Sequence, residues 1–186
     1  MATYYNPPYY PHIIDRPSYK KEVDWIQYRI KANQEIPEKI LRINNLIKEK
    51  YNLRIVEGLS AKQIAKRYGH KLFDTLNEAF SHLFGYVPLN EKQVQFYIDM
   101  YFPFLNKKLL CLIVDENDEI AAFGVSMPSL TEALRKSKGK LFPFGWYHLL
   151  KAINNFENID LYFNGVHPKW QNKGIHSIYY AEMNKQ

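Results

Sequence analysis

Apolar positions in this chain recur with two different periods, and the switches between them outline the elements. Ile36, Ile40, Ile43 and Ile47 fall at helical spacing, and Pro37 suits a first turn, so the pattern predicts a helix over 36–50. Arg42, Lys48 and Lys50 lie outside that stripe or near its end, where cations suit the helix dipole. Residues 60–84 are helical in period, punctuated by Gly69 and stopped by Gly85 and Pro88. Glu91–Phe102 forms a third helical stretch ended by Pro103, and Trp146–Ile153 forms another. Val23 and Trp25, then Ile26, Tyr28 and Ile30, alternate with one slip, which predicts a strand with a bulge near Trp25. Leu53–Val56 is a short strand. Leu109–Val114 is a continuous apolar run of strand length, Asp115–Asp118 a polar turn, and Glu119–Met127 a strand in which Gly124 marks a bulge. These three make an antiparallel hairpin. Pro128 ends it, Ser129 is placed to cap a short helix over 129–136, and 138–145 is a loop. Asn158–Val166 is the last long strand. Residues 1–20, rich in Pro and Tyr, hold no regular period. The order predicts an α+β fold with a mixed, mostly antiparallel sheet flanked by helices.

Composition changes this picture little. The chain has 186 residues, 46% hydrophobic and 16% aromatic, enough for a real core and unlike a disordered chain. Fifteen tyrosines favour half-wet positions, with ring buried and hydroxyl exposed. The net charge of +6 suits an anionic partner: nucleic acid, a membrane surface or a phosphorylated cofactor. The lone Cys111 sits in an apolar run, reads as a small core residue and makes no intrachain disulfide. No apolar run approaches the roughly 18 residues of a membrane span, and the start lacks a signal-peptide core. A cytoplasmic protein without a membrane partner is expected.

Candidate chemistry concentrates near the end. After Val166 comes a turn with Pro168, a short basic loop, and a helix opening near Gly174. A loop of free backbone N–H groups at a helix N-terminus is a ready site for phosphate oxygens. Gly174 lets the backbone approach closely, and Lys173 adds charge. The stretch 165–176, Gly-Val-His-Pro-Lys-Trp-Gln-Asn-Lys-Gly-Ile-His, resembles the acetyl-coenzyme A motif of the GNAT superfamily of N-acetyltransferases, a strand ending Val-x-Pro followed by Gln/Arg-x-x-Gly-x-Gly/Ala. Val166, Pro168, Gln171 and Gly174 match; His176 stands where the family places a small residue. The hairpin 109–127, the Met127-Pro128 break and the loop 139–145 resemble a two-lobed bacterial GNAT-like family.

The resemblance implies transfer of an acetyl group from acetyl-CoA to a small-molecule or peptide amine. Val166 and His167 would bind by backbone, and Gln171, Asn172, Lys173, Gly174, Ile175 and His176 would surround the diphosphate. No catalytic residue is assigned; Asp160 lies in the final strand, where the family sometimes places a carboxylate that relays the amine's proton, and Tyr147 and His148 could line a substrate cleft. It also implies that 1–31 is the tail of a preceding lobe and that 32–186 is a GNAT-like domain lacking its C-terminal portion. A further strand, helix and closing strands would need on the order of 30–50 residues beyond His176. The sheet would then expose an edge beside its last strand, which the segment 23–30 could cover in cis or across a homodimer. Two alternatives stand beside this reading. One is a catalytically inactive remnant or interaction module. The other is a basic DNA-binding protein with a helix-turn-helix at 59–80, against which Asp74 and Glu78 argue, because they would face phosphates badly. The six histidines show no metal-ligand spacing.

Overall fold

The computed structural model describes residues 6–15, 19–31 and 35–185. Residues 1–5 and 16–18 of the predicted tail segment lie outside them. The described residues form an α+β fold with seven α-helices and one four-stranded sheet. Its helices are α1 (Tyr10–Ile14), α2 (Glu38–Lys50), α3 (Ala61–Phe80), α4 (Glu91–Tyr101), α5 (Thr131–Ser137), α6 (Gly145–Asn154) and α7 (His176–Met183). Its strands are β1 (Arg54–Ile55), β2 (Leu110–Val114), β3 (Ile120–Pro128) and β4 (Ile159–Val166), paired in that order. Every pairing is antiparallel, so the sheet is not mixed in direction.

The β2–β3 hairpin is the spine. Strand alternation sends Leu112 and Val114 to one face, and Cys111 and Ile113 to the other. On the first face, Tyr68, Leu72 and Leu76 of α3 and Val94 and Ile98 of α4 cover Leu112, Ile120 and Phe123. On the second, Ile178 and Tyr179 of α7 join Leu53, Leu109 and Ala122. Both faces are dry, which explains why Leu109–Val114 reads as a continuous apolar run.

Helix α3 is strongly specified. The Ser60 hydroxyl accepts from the Gln63 amide and the Gln63 side chain accepts from the Ser60 amide, closing a capping box. The helix then runs unbroken through Gly69, whose missing β-carbon makes room for Ile98. A helix-turn-helix at 59–80 is therefore excluded: there is no turn, and the apolar stripe that resembled one packs against the sheet. The tip of the β2–β3 hairpin is anchored to the same helix. Asp118, at φ +64°, accepts from Arg67 Nε at 2.9 Å, from the Tyr68 hydroxyl at 2.6 Å and from Arg54 of β1.

Two sequence expectations fail. Residues 23–30 form no strand; Trp25 and Tyr28 are 73% and 81% exposed. Alternation alone does not make a strand when no neighbour supplies the ladder. In α2 the helix is where the period places it, yet Ile40 and Ile43 are exposed and Asn44 is buried. Asn44 is held by a polar contact described below, and Ile47 alone of the stripe packs on the core. A smaller difference concerns α5: Ser129 does not cap it, because the helix begins at Thr131 after Leu130.

Candidate functional site

The site is built where β4 ends. The His167 amide donates to Ala121 O at 3.0 Å, extending the sheet one residue past Val166. Pro168–Trp170 then forms a short 3-10 turn, closed by Trp170 N to His167 O at 2.8 Å. The His167 ring is fully engaged. Its Nδ1 accepts from the Lys169 amide at 3.2 Å, so the proton sits on Nε2, 3.0 Å from Glu78 Oε2 of α3. With both nitrogens engaged, His167 fixes the loop and is not a free base. Gln171 donates its side-chain amide back to Val166 O at 3.3 Å.

After Gln171 the backbone turns again before α7. Asn172 (φ +61°) and Gly174 (φ +77°) occupy the left-handed region, where glycine is unstrained. At 174 there is a second reason for glycine: a β-carbon would stand 3.0 Å from the Ile47 side chain of α2. Helix α7 then starts at His176 with no side-chain cap. Among the described residues, no group of the chain accepts a hydrogen bond from the amides of Asn172, Lys173, Gly174, Ile175 or His176. Ordinary helix starts leave such donors to water or a ligand. The His176 ring lies edge-on to Tyr180, one turn along α7, at a centroid distance of 6.5 Å.

Cations gather beside these amides. Tyr51, at the end of α2, and Trp170 form an edge-to-face pair with centroids 5.8 Å apart. Lys173 Nζ stands 4.5 Å from the Trp170 centroid and 5.3 Å from that of Tyr51. Lys169 and Lys50 approach the same two rings at 5.4 and 5.2 Å. None of the three ammonium groups has a carboxylate within 4 Å among the described residues. Sequence reasoning found Lys173 but missed Lys50, Tyr51 and Glu78, whose approach depends on packing across more than a hundred or nearly ninety positions.

Helix α2 holds the loop from behind. Asn44 Nδ2 donates to Ser177 O at 3.2 Å, and the Ser177 hydroxyl lies 2.6 Å from Asn44 Oδ1 and 2.7 Å from Gly174 O. Its one proton serves one of those acceptors at a time. Beneath α7, the Tyr179 ring occupies the place of a side chain at Gly124: a β-carbon there would meet the ring at 1.7 Å. The Tyr179 hydroxyl reaches Ser126 at 3.2 Å, and burial above all pushes its pKa up, against a smaller downward pull from that hydrogen bond.

Strand β4 pairs with β3 on one side only among the described residues, as expected of the sheet's last strand. A bulge makes Tyr162 the extra residue, between the Val125–Phe163 and Ser126–Leu161 pairs. Asp160 stands near the far end of β4, on the order of 20 Å from Val166 at ~3.3 Å per residue. His148, on α6, stacks edge-on to Tyr147. Neither is joined to the loop. Among the described residues, no cluster of His, Cys, Asp or Glu could hold a metal ion, and no helix is long and apolar enough to cross a membrane.

The chain is similar to two curated proteins. It is 24% identical over 173 residues to a bacterial ceramide synthase of Caulobacter vibrioides, covering 90% of this chain and 43% of that protein. It is 25% identical over 154 residues to protein YghO of Escherichia coli, covering 77% of this chain and 36% of that one. The chain thus spans less than half the length of these relatives. No family model and no solved structure matches it.

Proposed function

We infer that this chain carries an acyl-transfer site of the GNAT kind, taking an acyl group from a coenzyme A thioester, acetyl-CoA by the resemblance, to an amine. The observation that carries the reading is the run of five unclaimed amides around Gly174, flanked by Lys173 and two further lysines without counter-ions. Such donors suit a diphosphate, each dipole contact contributing about 0.3–1 kcal/mol when exposed. The name of the Caulobacter relative supports the reaction class, since a ceramide is an N-acylated long-chain base. YghO adds no chemistry by its name.

The residues present fit the cofactor. The backbone of Val166 and His167 and the open edge of β4 would hold the pantetheine arm, and Gln171 to His176 the diphosphate. Bound there, the thioester supplies a carbonyl at which a C–N bond forms as the C–S bond breaks, the amine's proton leaving with the thiol. The chain's contribution is placement: a strand edge and a fixed loop orient donor against acceptor. Both ring nitrogens of His167 are hydrogen-bonded within the chain, so the reading gives it a part in holding the loop. In the same reading the chain divides at 31/32 into a tail-like segment and the GNAT-like domain, and the buried thiol of Cys111 suits the cytoplasm. A homodimer pairing along β4 would compete with the pantetheine arm for one edge.

Thermal unfolding with and without coenzyme A tests the reading. Ligand at a hundred times its Kd should stabilise the fold by about 2.7 kcal/mol. Gly174→Val, which strains the loop and presses on Ile47, should abolish that shift while the chain still folds by circular dichroism. No shift at millimolar coenzyme A would leave a binding module without a cofactor.

A further inference from the structure

Helices α5 and α6 leave the sheet together and return to it together. They follow β3 and precede β4, and their base is closed by the Ser129 amide donating to Asn158 O at 2.9 Å. What they expose is unusual for a surface in water. Phe142 and Phe144, at the tip between them, are 75% and 70% exposed. Leu141 precedes them, and Trp146, Leu150 and Ile153 form an exposed stripe at helical spacing along α6.

The tip is built. The Gly139 amide donates to Leu134 O and the Lys140 amide to Ser137 O, both at 3.0 Å, which closes α5. The Trp146 amide donates to Leu141 O at 3.0 Å, and its indole N–H donates to Pro143 O at 2.9 Å. The backbone that carries the phenylalanines is therefore fixed, and the indole's polar end is satisfied. Around this apolar tip the charge has one sign. Arg135, Lys136, Lys138, Lys140 and Lys151 are exposed, and Glu132, the one carboxylate between Thr131 and Phe156, is paired to Arg135 at 2.6 Å.

We propose that the α5–α6 tip docks on the surface of a bilayer containing anionic lipid. Phe142, Phe144 and the α6 stripe enter the headgroup–acyl boundary while the surrounding cations meet lipid phosphates. A protein groove would accept the apolar residues, but it would not by itself call for a cationic rim almost free of acids. An anionic interface calls for both, and long lysine stems place their charge at the headgroups while their methylenes stay in the apolar layer. This is contact with one leaflet, with nothing crossing it. It does not depend on the loop at Gly174 binding a cofactor.

Co-sedimentation of the full chain with lipid vesicles tests it. The chain should pellet with vesicles of phosphatidylcholine mixed with phosphatidylglycerol, and about tenfold less with phosphatidylcholine alone or in high salt. Phe142→Asp with Phe144→Asp should abolish pelleting. Lys136→Gln, Lys138→Gln and Lys140→Gln together should weaken it only on the anionic vesicles. Should a variant fail to fold, quenching by brominated acyl chains in the unmodified chain, compared with Trp146→Phe, still reports whether Trp146 enters the bilayer. Equal pelleting with both lipids, unchanged pelleting of the Phe142/Phe144 variant, or no quenching assigned to Trp146 overturns the proposal. So does light scattering that shows a dimer which the Phe142/Phe144 variant dissolves, because a second copy would then cover the face.

Discussion

The two faces of the sheet are covered by helices of opposite character. On one side α3 is twenty residues long, boxed at its start by Ser60 and Gln63, and buries Ile64, Tyr68, Leu72 and Leu76. On the other α7 is eight residues long, lacks a cap, and reaches the sheet through Ile178 and Tyr179. Both sit on equally dry strands. The difference lies in the cap: the side chain of the N-cap residue accepts from the Gln63 amide at the start of α3, and α7 starts with no side-chain cap at all. The same apolar sheet thus supports one helix boxed at its start by a side chain and one whose start has no side-chain cap.

The sharpest way to break the comparison is at Gly124. Gly124→Ala forces a methyl into the Tyr179 ring and should cost about 3 kcal/mol, read by urea unfolding, with α7 displaced. An effect below ~1 kcal/mol would mean that α7 floats over the sheet.

Next comes the clamp between α3 and the hairpin. Burial alone would raise the Asp118 pKa, but hydrogen bonds from Tyr68 and Arg67 and the charges of Arg67 and Arg54 hold it below the ordinary carboxylate range. A depressed carboxyl contributes stability that is fully present above the unfolded-state pKa, near 3.8, and is lost as pH falls through the lower folded value. Solvent screening keeps this to about 1–2 kcal/mol. Asp118→Asn, which tolerates the left-handed backbone, should flatten the loss of stability in acid without moving the hairpin.

Ser60→Ala should then cost about 1 kcal/mol, because it opens the box on α3. The matching change at the start of α7, Ile175→Ser, is a poor comparison, since Ile175 is core. The smallest effect is expected at Cys111. Burial first, with the charge of Glu182 second, pushes its thiol up to about 12. It should resist alkylation at neutral pH in the folded chain and react once the chain unfolds.

Much of the fold was legible because local signals and burial agree. The periods of 60–84 and 91–102, the turn Asp115–Asp118 and the breaks at Pro103 and Pro128 mark elements that stand close to their predicted bounds. What sequence could not show was set by partners far away. Residues 23–30 alternate like a strand, but their ladder has no second member. Of the isoleucine stripe of α2 only Ile47 packs on the core, while Ile40 and Ile43 are exposed and Asn44 beside them is buried against Ser177. The loop around Gly174 was visible as glycine spacing. That its amides are unclaimed, that His167 is bound to Glu78, and that Lys50 reaches Tyr51 beside Trp170 all depend on three-dimensional packing.

That Asn44–Ser177 contact works like a key in a keyway. An amide that both gives to a backbone oxygen and receives a hydroxyl proton suits one angular setting of α2. A large roll would break both contacts and leave the buried Asn44 amide without its partners. Because α2 touches α7 and Gly174 directly, the setting of that helix and the shape of the loop are tied together without passing through the sheet.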